Sequence, residues 1–260
     1  MEIKVMSINI RYDNPYDKHP WDERKHILKK TIENNQPDLI GFQEVKENQL
    51  SDLINFFSDE FDYYGQFRDA TASAEMNPIF IRKSNFQMIK KDTVYLNEDR
   101  RFRNQPGFDG DCPRLFSYAI LQDKTDEEKQ FVFLNTHLDH VGIEARRKSV
   151  DIILDLVYDI NERYQIPAII TGDFNTEPDM GYINKLLKHK DFRNSYQTLE
   201  DKGHALTIHH FSGQTMGSPI DYIFAQKPLE IKKSAIIRDN DNGVYPSDHY
   251  QVLADIELMN

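Results

Sequence analysis

The chain has 260 residues, of which 39% are hydrophobic and 29% are charged, and its formal net charge is −11. This composition is typical of a soluble globular protein with a large core. No apolar run approaches the roughly 18 residues that a membrane-spanning helix needs. The acidic balance weakens the case for long nucleic acid as the partner, because proteins that bind it usually carry a basic face.

The N-terminus and the cysteine content indicate the cellular compartment of the protein. The sequence MEIKVMSINIRYD alternates like a strand and lacks the basic stretch, long apolar stretch and cleavage site of a signal peptide. The lone Cys112 allows no internal disulfide. We therefore expect a cytoplasmic protein, although a chain trimmed of a signal peptide would look the same. Because we find no linker or repeat, we expect one domain over 1–260.

In the first half of the chain, alternating and helical patterns follow one another closely. Asp22 is the predicted N-cap of the first helix, and Pro37 ends that helix. The predicted elements, in chain order, are a strand at 3–10, a polar loop at 11–21, a helix at 22–35, a strand at 37–45, a helix at 47–58 and strands near 61–67, 78–82 and 86–96.

The second half begins with a long polar loop at 97–113 that is rich in Arg, Asp and Gly. Loops of this length inside a compact domain are uncommon and usually functional. The elements predicted after it are strands at 115–122 and 131–137, a helix at 142–164, a strand at 167–173, a helix at 179–189 and strands at 220–225, 231–237 and 249–258. Strands and helices thus interleave in two similar halves, which indicates one layered domain.

Polar residues recur at the strand ends. They are Asn9, Glu44, the group Asn135, His137, Asp139 and His140, the pair Asp173 and Asn175, Asp221, and the pair Asp248 and His249. If the strands run so that these ends meet, one pocket collects several carboxylates, histidines and carboxamides. Each residue alone also has an ordinary interpretation as a strand terminus, a turn residue or a satisfied histidine. Together they favour a site, because the ordinary interpretation must explain five or six ends of the same polar kind.

The residue types indicate a hard metal ion and attack by water. Oxygen ligands from Glu, Asp and Asn suit Mg²⁺ or Mn²⁺ rather than Zn²⁺, and the sequence has no cysteine pair and no HExxH motif. Such an ion polarises a phosphoryl group and stabilises charge on the leaving oxygen. An aspartate beside a histidine can orient the imidazole. The GxSxG motif of serine nucleophiles is absent, so the expected nucleophile is water, which Asp173 is placed to align or deprotonate.

Six stretches resemble motifs of the endonuclease/exonuclease/phosphatase superfamily, the metal-dependent group related to DNase I. They are MSINIRYD, IGFQEV, NTHLDH, TGDFN, IDYIF and SDHYQV, in the family's order and over nearly the whole chain. Each motif is modest, but the ordered set is specific. The resemblance implies an α+β fold, a four-layer α/β/β/α sandwich of two packed mixed β-sheets flanked by helices. It also implies hydrolysis of a phosphate ester with Mg²⁺ or Mn²⁺ by in-line attack of water.

The resemblance also implies residue roles. Asn9 and Glu44 resemble the metal-binding pair, with Glu44 the direct ligand, and Asp173, Asn175 and Asp248 complete the expected metal set. The implied catalytic roles are contact with the scissile phosphate for His137, water activation for Asp173, support of the transition state for Asn175, acidic support for Asp221, and binding or protonation of a phosphate oxygen by the Asp248 and His249 pair. Phe174 is expected to point into the packed layer, which puts Asp173 and Asn175 on the other face.

Substrate contacts are expected from the loops. NIRYDNPYDKHPWDER and CPRLFSYAIL resemble a small bacterial subgroup whose substrate is undefined. Arg114 and Arg146 are candidate phosphate contacts, with Arg147 beside them, and each could equally be a surface arginine. Loop aromatics could stack on a base or sugar ring, although such rings more often cover a core edge. The candidates are Trp21, Phe102, Phe108 and Tyr245.

These observations favour a phosphohydrolase of a small phosphorylated metabolite or phosphodiester, with no obligate protein partner. The alternative is a nuclease that acts on DNA or RNA, because acidic nucleases exist and Mg²⁺ masks charge. A non-catalytic binding module on the same fold would have lost motif residues, and none of the matched positions is missing here. A sheet-rich protein with polar turns does not explain the order of the motifs.

Overall fold

The computed structural model describes residues 1–100, 102–189 and 191–259, so Arg101 of the predicted long loop lies outside the described residues. These residues form twelve strands and four α-helices. The strands are β1 (Glu2–Asn9), β2 (Leu39–Gln43), β3 (Phe61–Tyr64), β4 (Ile79–Arg82), β5 (Phe86–Tyr95), β6 (Leu115–Asp123), β7 (Gln130–His137), β8 (Ala168–Asp173), β9 (Phe192–Asn194), β10 (Asp221–Gln226), β11 (Leu229–Ile237) and β12 (Gln251–Leu258). The helices are α1 (Trp21–Asn35), α2 (Glu47–Phe57), α3 (Ile143–Tyr164) and α4 (Gly181–Lys188).

The strands form two sheets of six. The order in the first sheet is β11-β12-β1-β2-β4-β3, and the order in the second is β5-β6-β7-β8-β10-β9. Each sheet is mixed, because β1 and β2 are parallel in one and β7 and β8 are parallel in the other, while the remaining pairs are antiparallel.

Three apolar layers hold the sheets and helices together. The central layer lies between the sheets and includes Val5, Leu39 and Phe133. Alternate residues on the first sheet pack on α1 and α2, and alternate residues on the second sheet pack on α3 and α4. Both faces of the central strands are therefore buried, which explains why they are almost continuously apolar. The four-layer sandwich predicted from the sequence is confirmed.

One local prediction was wrong, and one strand was missed. Helix α1 begins one residue early, at Trp21, and its N-cap is Pro20, so Asp22 lies in the first turn with an exposed side chain. Proline is compatible with this end because the first helical N–H groups have no partner within the helix. Strand β9 was not predicted, because its three residues are too few for a periodic signal. The single-domain organisation over 1–260 stays a prediction.

The register brings the polar strand ends to one end of the sandwich. Asn9 pairs with Gln43 across the parallel strands β1 and β2, and His137 pairs with Asp173 across β7 and β8. The antiparallel strand β10 begins where β8 ends, with Asp221 opposite Asp173. The carboxyl ends of the parallel strands and the amino end of β10 therefore share one edge.

A buried polar link joins the two sheets at this edge. Gln43 of the first sheet donates to Asn135 Oδ1 of the second over 2.7 Å, and Asn135 Nδ2 donates back to the Phe42 carbonyl over 2.7 Å. Gly41 leaves room for this link, because a Cβ there would lie 2.5 Å from Asn135 Oδ1. The strand-end residue Asn135 therefore fixes the sheets to one another. None of the helices in the described part of the chain is long and apolar enough to cross a membrane.

Candidate active site

One open pocket of about 460 Å³ lies where the strand ends meet. Asn9 and Asp221 lie beneath it, each hydrogen-bonded to a residue that lines it. Six residues that the resemblance singled out line the pocket: Glu44, His137, Asp173, Asn175, Asp248 and His249. These eight residues are referred to below as the floor of the pocket.

The floor residues that directly follow the strands have a left-handed backbone conformation, which changes the direction of the chain. Glu44 has φ 62° and Asn175 has φ 48°, and Arg11, just beyond β1, has φ 55°. This conformation costs a non-glycine residue about 1 kcal/mol, least for Asn, and it persists where the surroundings fix it, commonly at functional sites. Phe174 is fully buried in the layer that faces α3 and α4, as expected. Asn175 lies at the pocket because its backbone turns, and not because the strand continues.

Asn9 holds two carboxylates of the floor side by side. Its Nδ2 donates to Glu44 Oε1 and to Asp173 Oδ2, both over 3.0 Å. Its Oδ1 accepts from the backbone N–H of Arg11 over 3.0 Å. The oxygen of Asn9 is thus engaged by the backbone, and the amide positions the carboxylates. The remaining Asp173 oxygen accepts from the backbone N–H of Asn175 over 2.8 Å.

The floor contains more carboxylates than cationic groups that could neutralise them. Burial and the neighbouring Asp221 raise the pKa of Asp173 to about 7. Burial also raises the pKa of Asp248 and of Glu75, which lies at the pocket side. A cation placed among these oxygens would relieve both the desolvation and the mutual repulsion. The carboxylate oxygens fit a hard divalent ion, since ligand atoms of Glu44 and Asp173 lie within 4.8 Å of one another.

The two floor histidines have opposite electrostatic surroundings. Burial alone would lower the pKa of His249. The carboxylates of Asp221 and Asp173 outweigh burial and raise this pKa well above 6.5. Asp221 acts most directly, because its Oδ2 lies 2.9 Å from His249 Nδ1. Burial and the nearby Arg114 lower the pKa of His137 well below 6.5. His249 is therefore a cation at neutral pH, and His137 is a neutral imidazole.

Asn175 fixes the tautomer of His137. Asn175 Nδ2 lies 3.0 Å from His137 Nε2 and also donates to the Leu138 carbonyl over 3.0 Å. Because Nδ2 can only donate, Nε2 accepts and the proton of the neutral ring lies on Nδ1. This Nδ1 has no hydrogen-bond partner within the described part of the chain. The amide oxygen of Asn175 is the group left for a ligand.

Loop residues form one side of the pocket, and each arginine there lies beside a carboxylate. Arg68 lies 3.0 Å from Glu75, and His140 Nε2 lies 3.9 Å from Asp111. Arg114 is 7% exposed and donates to His140 Nδ1 over 3.2 Å. These five residues are referred to as the wall. Arg68 and Glu75 have no periodic or motif signal in the sequence, and only the fold brings their loop to the strand ends.

Two of the predicted substrate contacts belong to the scaffold instead. Arg146 is buried and donates to the Tyr182 hydroxyl and to the Asp139 carbonyl, each over 2.8 Å, so its guanidinium braces the start of α3. Trp21 is buried in the layer between the first sheet and its helices, where its Nε1 donates to Asp52 over 2.8 Å. Neither side chain lines the pocket.

The other aromatic candidates also lie elsewhere. The Tyr245 ring packs edge-on against His209, with ring centroids 4.7 Å apart. Phe102 is 57% exposed and Phe108 packs against the core beside α3, and neither lines the pocket. Arg147 pairs with Glu144 on the helix surface. None of these side chains lines the pocket, because they cover core edges or face solvent.

Comparison with known proteins identifies the class. A profile of the endonuclease/exonuclease/phosphatase family matches residues 6–249. The chain belongs to this family, whose members hydrolyse phosphoester bonds. Among curated relatives it is 25% identical to nocturnin from Rattus norvegicus over 94% of the chain and 60% of that protein. It is 23% identical to the Ccr4 exoribonuclease subunit of the CCR4-Not complex from Mycosarcoma maydis, over 98% of the chain and 50% of that protein. The chain thus spans 50% to 60% of the length of these two relatives.

Solved structures of similar length match over the whole chain. An endonuclease/exonuclease/phosphatase protein from Bacteroides vulgatus is 31% identical with a TM-score of 0.90, and the match covers 100% of both chains. A mannosyl-6-phosphatase from Bacteroides thetaiotaomicron is 25% identical with a TM-score of 0.90, over 98% of this chain and 99% of that one. The sandwich fold is therefore shared with compact bacterial members of the family.

Proposed function

We propose that this protein is a divalent-metal-dependent phosphatase of small phosphorylated metabolites, with sugar phosphates as the favoured class. The observation that carries the proposal is the position of Asp173, which Asn9 and Asn175 hold through hydrogen bonds of 3.0 and 2.8 Å beside a cationic histidine. A cytoplasmic location remains part of the proposal.

Glu44 and Asp173 are the proposed metal ligands, with Asp248 as a further carboxylate nearby. When bound there, Mg²⁺ or Mn²⁺ supplies Lewis-acid polarisation of the phosphoryl group and stabilises the leaving oxygen. Tyr12 supports the ligand set, because its backbone N–H donates to Glu44 Oε2 over 3.0 Å and leaves Oε1 toward Asn9. Asn9 acts here as the residue that positions both carboxylates, since its own oxygen is engaged by Arg11.

The proposed chemistry uses Asp173 and His249 together. Asp173 aligns a water molecule and accepts its proton as the water attacks phosphorus and the bond from phosphorus to the leaving ester oxygen breaks. His249 Nε2 lies 3.9 Å from Asp173 Oδ2, and the protonated ring donates a charge-assisted hydrogen bond to a phosphoryl oxygen. Asp221 keeps that ring charged and oriented. His137 lines the pocket beside them, with Nε2 3.5 Å from Asp173 Oδ2.

The pocket side favours a small polar substrate over a polymer. Its guanidinium groups are paired with carboxylates, which suits hydroxyl groups better than a row of phosphates. Tyr12 is the one lining residue with a phenyl ring in the described part of the chain. That ring already has Arg11 4.4 Å and Lys46 4.7 Å from its centroid, which limits stacking of a base. The similarity to a mannosyl-6-phosphatase over nearly the whole chain supports the same class.

A nuclease activity is the second candidate. The similarity to Ccr4 and nocturnin favours it, although the chain spans only 50% and 60% of those proteins. In that case the paired wall charges would have to open to admit a polynucleotide backbone. Arg114, freed from His140, would then contact phosphate.

A substrate panel with and without metal tests the proposal. We expect p-nitrophenyl phosphate and hexose 6-phosphates to be hydrolysed with Mg²⁺ or Mn²⁺ and not with EDTA. Bis-p-nitrophenyl phosphate and short DNA and RNA oligomers report the diesterase and nuclease alternatives. A kcat/KM for oligonucleotides above that for every sugar phosphate would establish the second candidate, and no metal-dependent turnover of any ester would refute both.

A further inference from the structure

Arg24, the arginine of the sequence WDER, is a buried cation outside the pocket. It projects from α1 and is 0% exposed. Within the described residues no carboxylate forms an ion pair with it, and its partners are backbone carbonyls. A fully buried charge is costly unless its hydrogen bonds are well satisfied. This placement therefore requires a compensating arrangement of acceptors.

The acceptors belong to three separate segments. Nη1 donates to the carbonyls of Ile10 and Pro246, each over 2.8 Å. Nη2 donates to the Arg11 carbonyl over 3.2 Å, and Nε donates to the His19 carbonyl over 3.0 Å. One guanidinium thus joins the loop after β1 to the loop before β12.

Both loops adjoin floor residues: Asn9 ends β1, where it pairs with Gln43 of β2, and Asp248 and His249 lie in the loop before β12. In the described part of the chain, the direct strand pairing between the two sides is the β1–β12 ladder. The ladder between β1 and β12 ends at the pair Ser7 and Val252. Asn9 and His249 lie beyond that point on either side. Arg24 links the chain at positions 10 and 246, next to these residues, where the ladder no longer does.

We propose that Arg24 is a positioning residue that holds these loops in register, so that Asn9 and His249 both face Asp173. The inference rests on the proposed function for its catalytic readout. Trp21 and Phe211 complete the arrangement, with rings centred 5.5 Å and 5.6 Å from the guanidinium carbon. The spacing of Trp21 and Arg24 in the sequence motif is thereby explained, since the tryptophan packs beside the arginine it helps to hold.

The substitutions Arg24→Lys and Arg24→Met test separately the charge of Arg24 and the geometry of its hydrogen bonds. A lysine ammonium keeps the charge but cannot reproduce the planar fork that reaches three segments at once, and methionine keeps the volume without donors. Leu28→Ala is the matched control, because Leu28 lies one turn further along α1, is equally buried, and contacts the core rather than the loops. The measurements are kcat and KM for p-nitrophenyl phosphate with Mg²⁺, and hydrogen exchange of residues 8–13 and 245–249.

We expect both Arg24 variants to lower kcat about 100-fold with KM changed less than about threefold, since misplacement by about 1 Å costs that much. Hydrogen exchange should rise in both loops together. Leu28→Ala should lower Tm but leave kcat within about twofold and the two loops protected. Equal losses of kcat in Leu28→Ala and Arg24→Lys at the same temperature below Tm would overturn the proposal.

The two proposals fail in different ways. If the wild-type protein hydrolyses no ester with metal, the proposed function is wrong, and hydrogen exchange alone decides the role of Arg24. If the wild type is active and the Arg24 variants keep its kcat and its loop protection, the role of Arg24 is refuted while the proposed function stands.

Discussion

The floor and the wall of the pocket are built on different supports. Floor residues sit at strand ends, and backbone N–H groups or buried amides fix their carboxylates, as the Asn9 bonds to Glu44 and Asp173 illustrate. Wall residues sit in loops and are held by pairs of long charged side chains, such as Arg68 with Glu75. Rigid supports suit chemistry, which needs fixed geometry, and loops suit the choice of substrate. Changes in the floor should therefore alter kcat, and changes in the wall should alter KM.

The largest effect is expected from Asp173→Asn. The amide keeps the shape but cannot accept a proton, so kcat should fall at least about 10³-fold, within the range of general base catalysis. In the wild type, the pKa of Asp173 in the folded protein is about 7 and lies above its value in the unfolded chain. The ionised Asp173 carboxylate therefore destabilises the fold at neutral pH. In EDTA, Tm at pH 8 should therefore stay equal or rise by about 2 °C or more. A large fall in Tm would mean that the carboxylate serves mainly to hold the strand ends together.

Glu44→Gln should uncouple metal binding from stability. A metal that binds only the folded state stabilises it by about 2.7 kcal/mol at 100 times its Kd. Mg²⁺ should raise Tm of the wild type, and this rise should be reduced or absent in the variant, together with a loss of kcat of about 10²-fold or more. Thermal melts at increasing Mg²⁺ concentrations measure this rise in Tm. If Mg²⁺ raised Tm of the variant as much as that of the wild type, Glu44 would not be a metal ligand.

Asp221→Asn should shift the pH profile rather than abolish activity. Asp221 raises the pKa of His249, so the imidazolium persists above pH 6.5 in the wild type. Without the carboxylate, the alkaline limb of the kcat profile should move to lower pH by about one unit or more, and activity at pH 8 should fall about 10- to 100-fold. Stabilisation from charged His249 is complete below its ordinary pKa and is lost as pH rises through the raised value. An unchanged alkaline limb would contradict the assignment of His249 as the cationic group.

The contrast between floor and wall also explains what the sequence can predict. Strand ends such as Asn9, Glu44 and Asp173 were predictable because apolar strands give a clear signal and the polar residue follows directly. The backbone turns at Glu44 and Asn175 were not, since a Glu does not indicate a left-handed φ and an Asn only tolerates it better than most residues. Arg68 and Glu75 gave no signal, because their position depends on how a loop crosses the pocket. Trp21 and Arg146 were predicted as substrate contacts, but both are buried and hold the fold together. The sequence does not specify the burial of a single residue.

Arg114→Lys should affect binding more than turnover. Arg114 lies 3.6 Å from Asp139 and donates to His140, and lysine cannot maintain both contacts. KM for sugar phosphates should rise about 10-fold with kcat changed less than about threefold, because the floor is unaltered. Arg147→Lys is the matched control, since Arg147 pairs with Glu144 on the exposed helix surface. A loss confined to kcat would move Arg114 from the wall into the catalytic group.

The smallest effect is expected from Phe102→Ala, which tests where the wall ends. Phe102 lies in the long loop at 97–113 that also leads to Arg114, yet its side chain is 57% exposed and does not line the pocket. Exposed side chains that contact neither core nor ligand contribute little, so kcat, KM and Tm should each stay close to wild type, with rate constants within about twofold. A rise in KM for nucleotides alone would indicate that the loop closes over a base. That result would extend the wall beyond its five residues and favour the nuclease alternative over a sugar phosphatase.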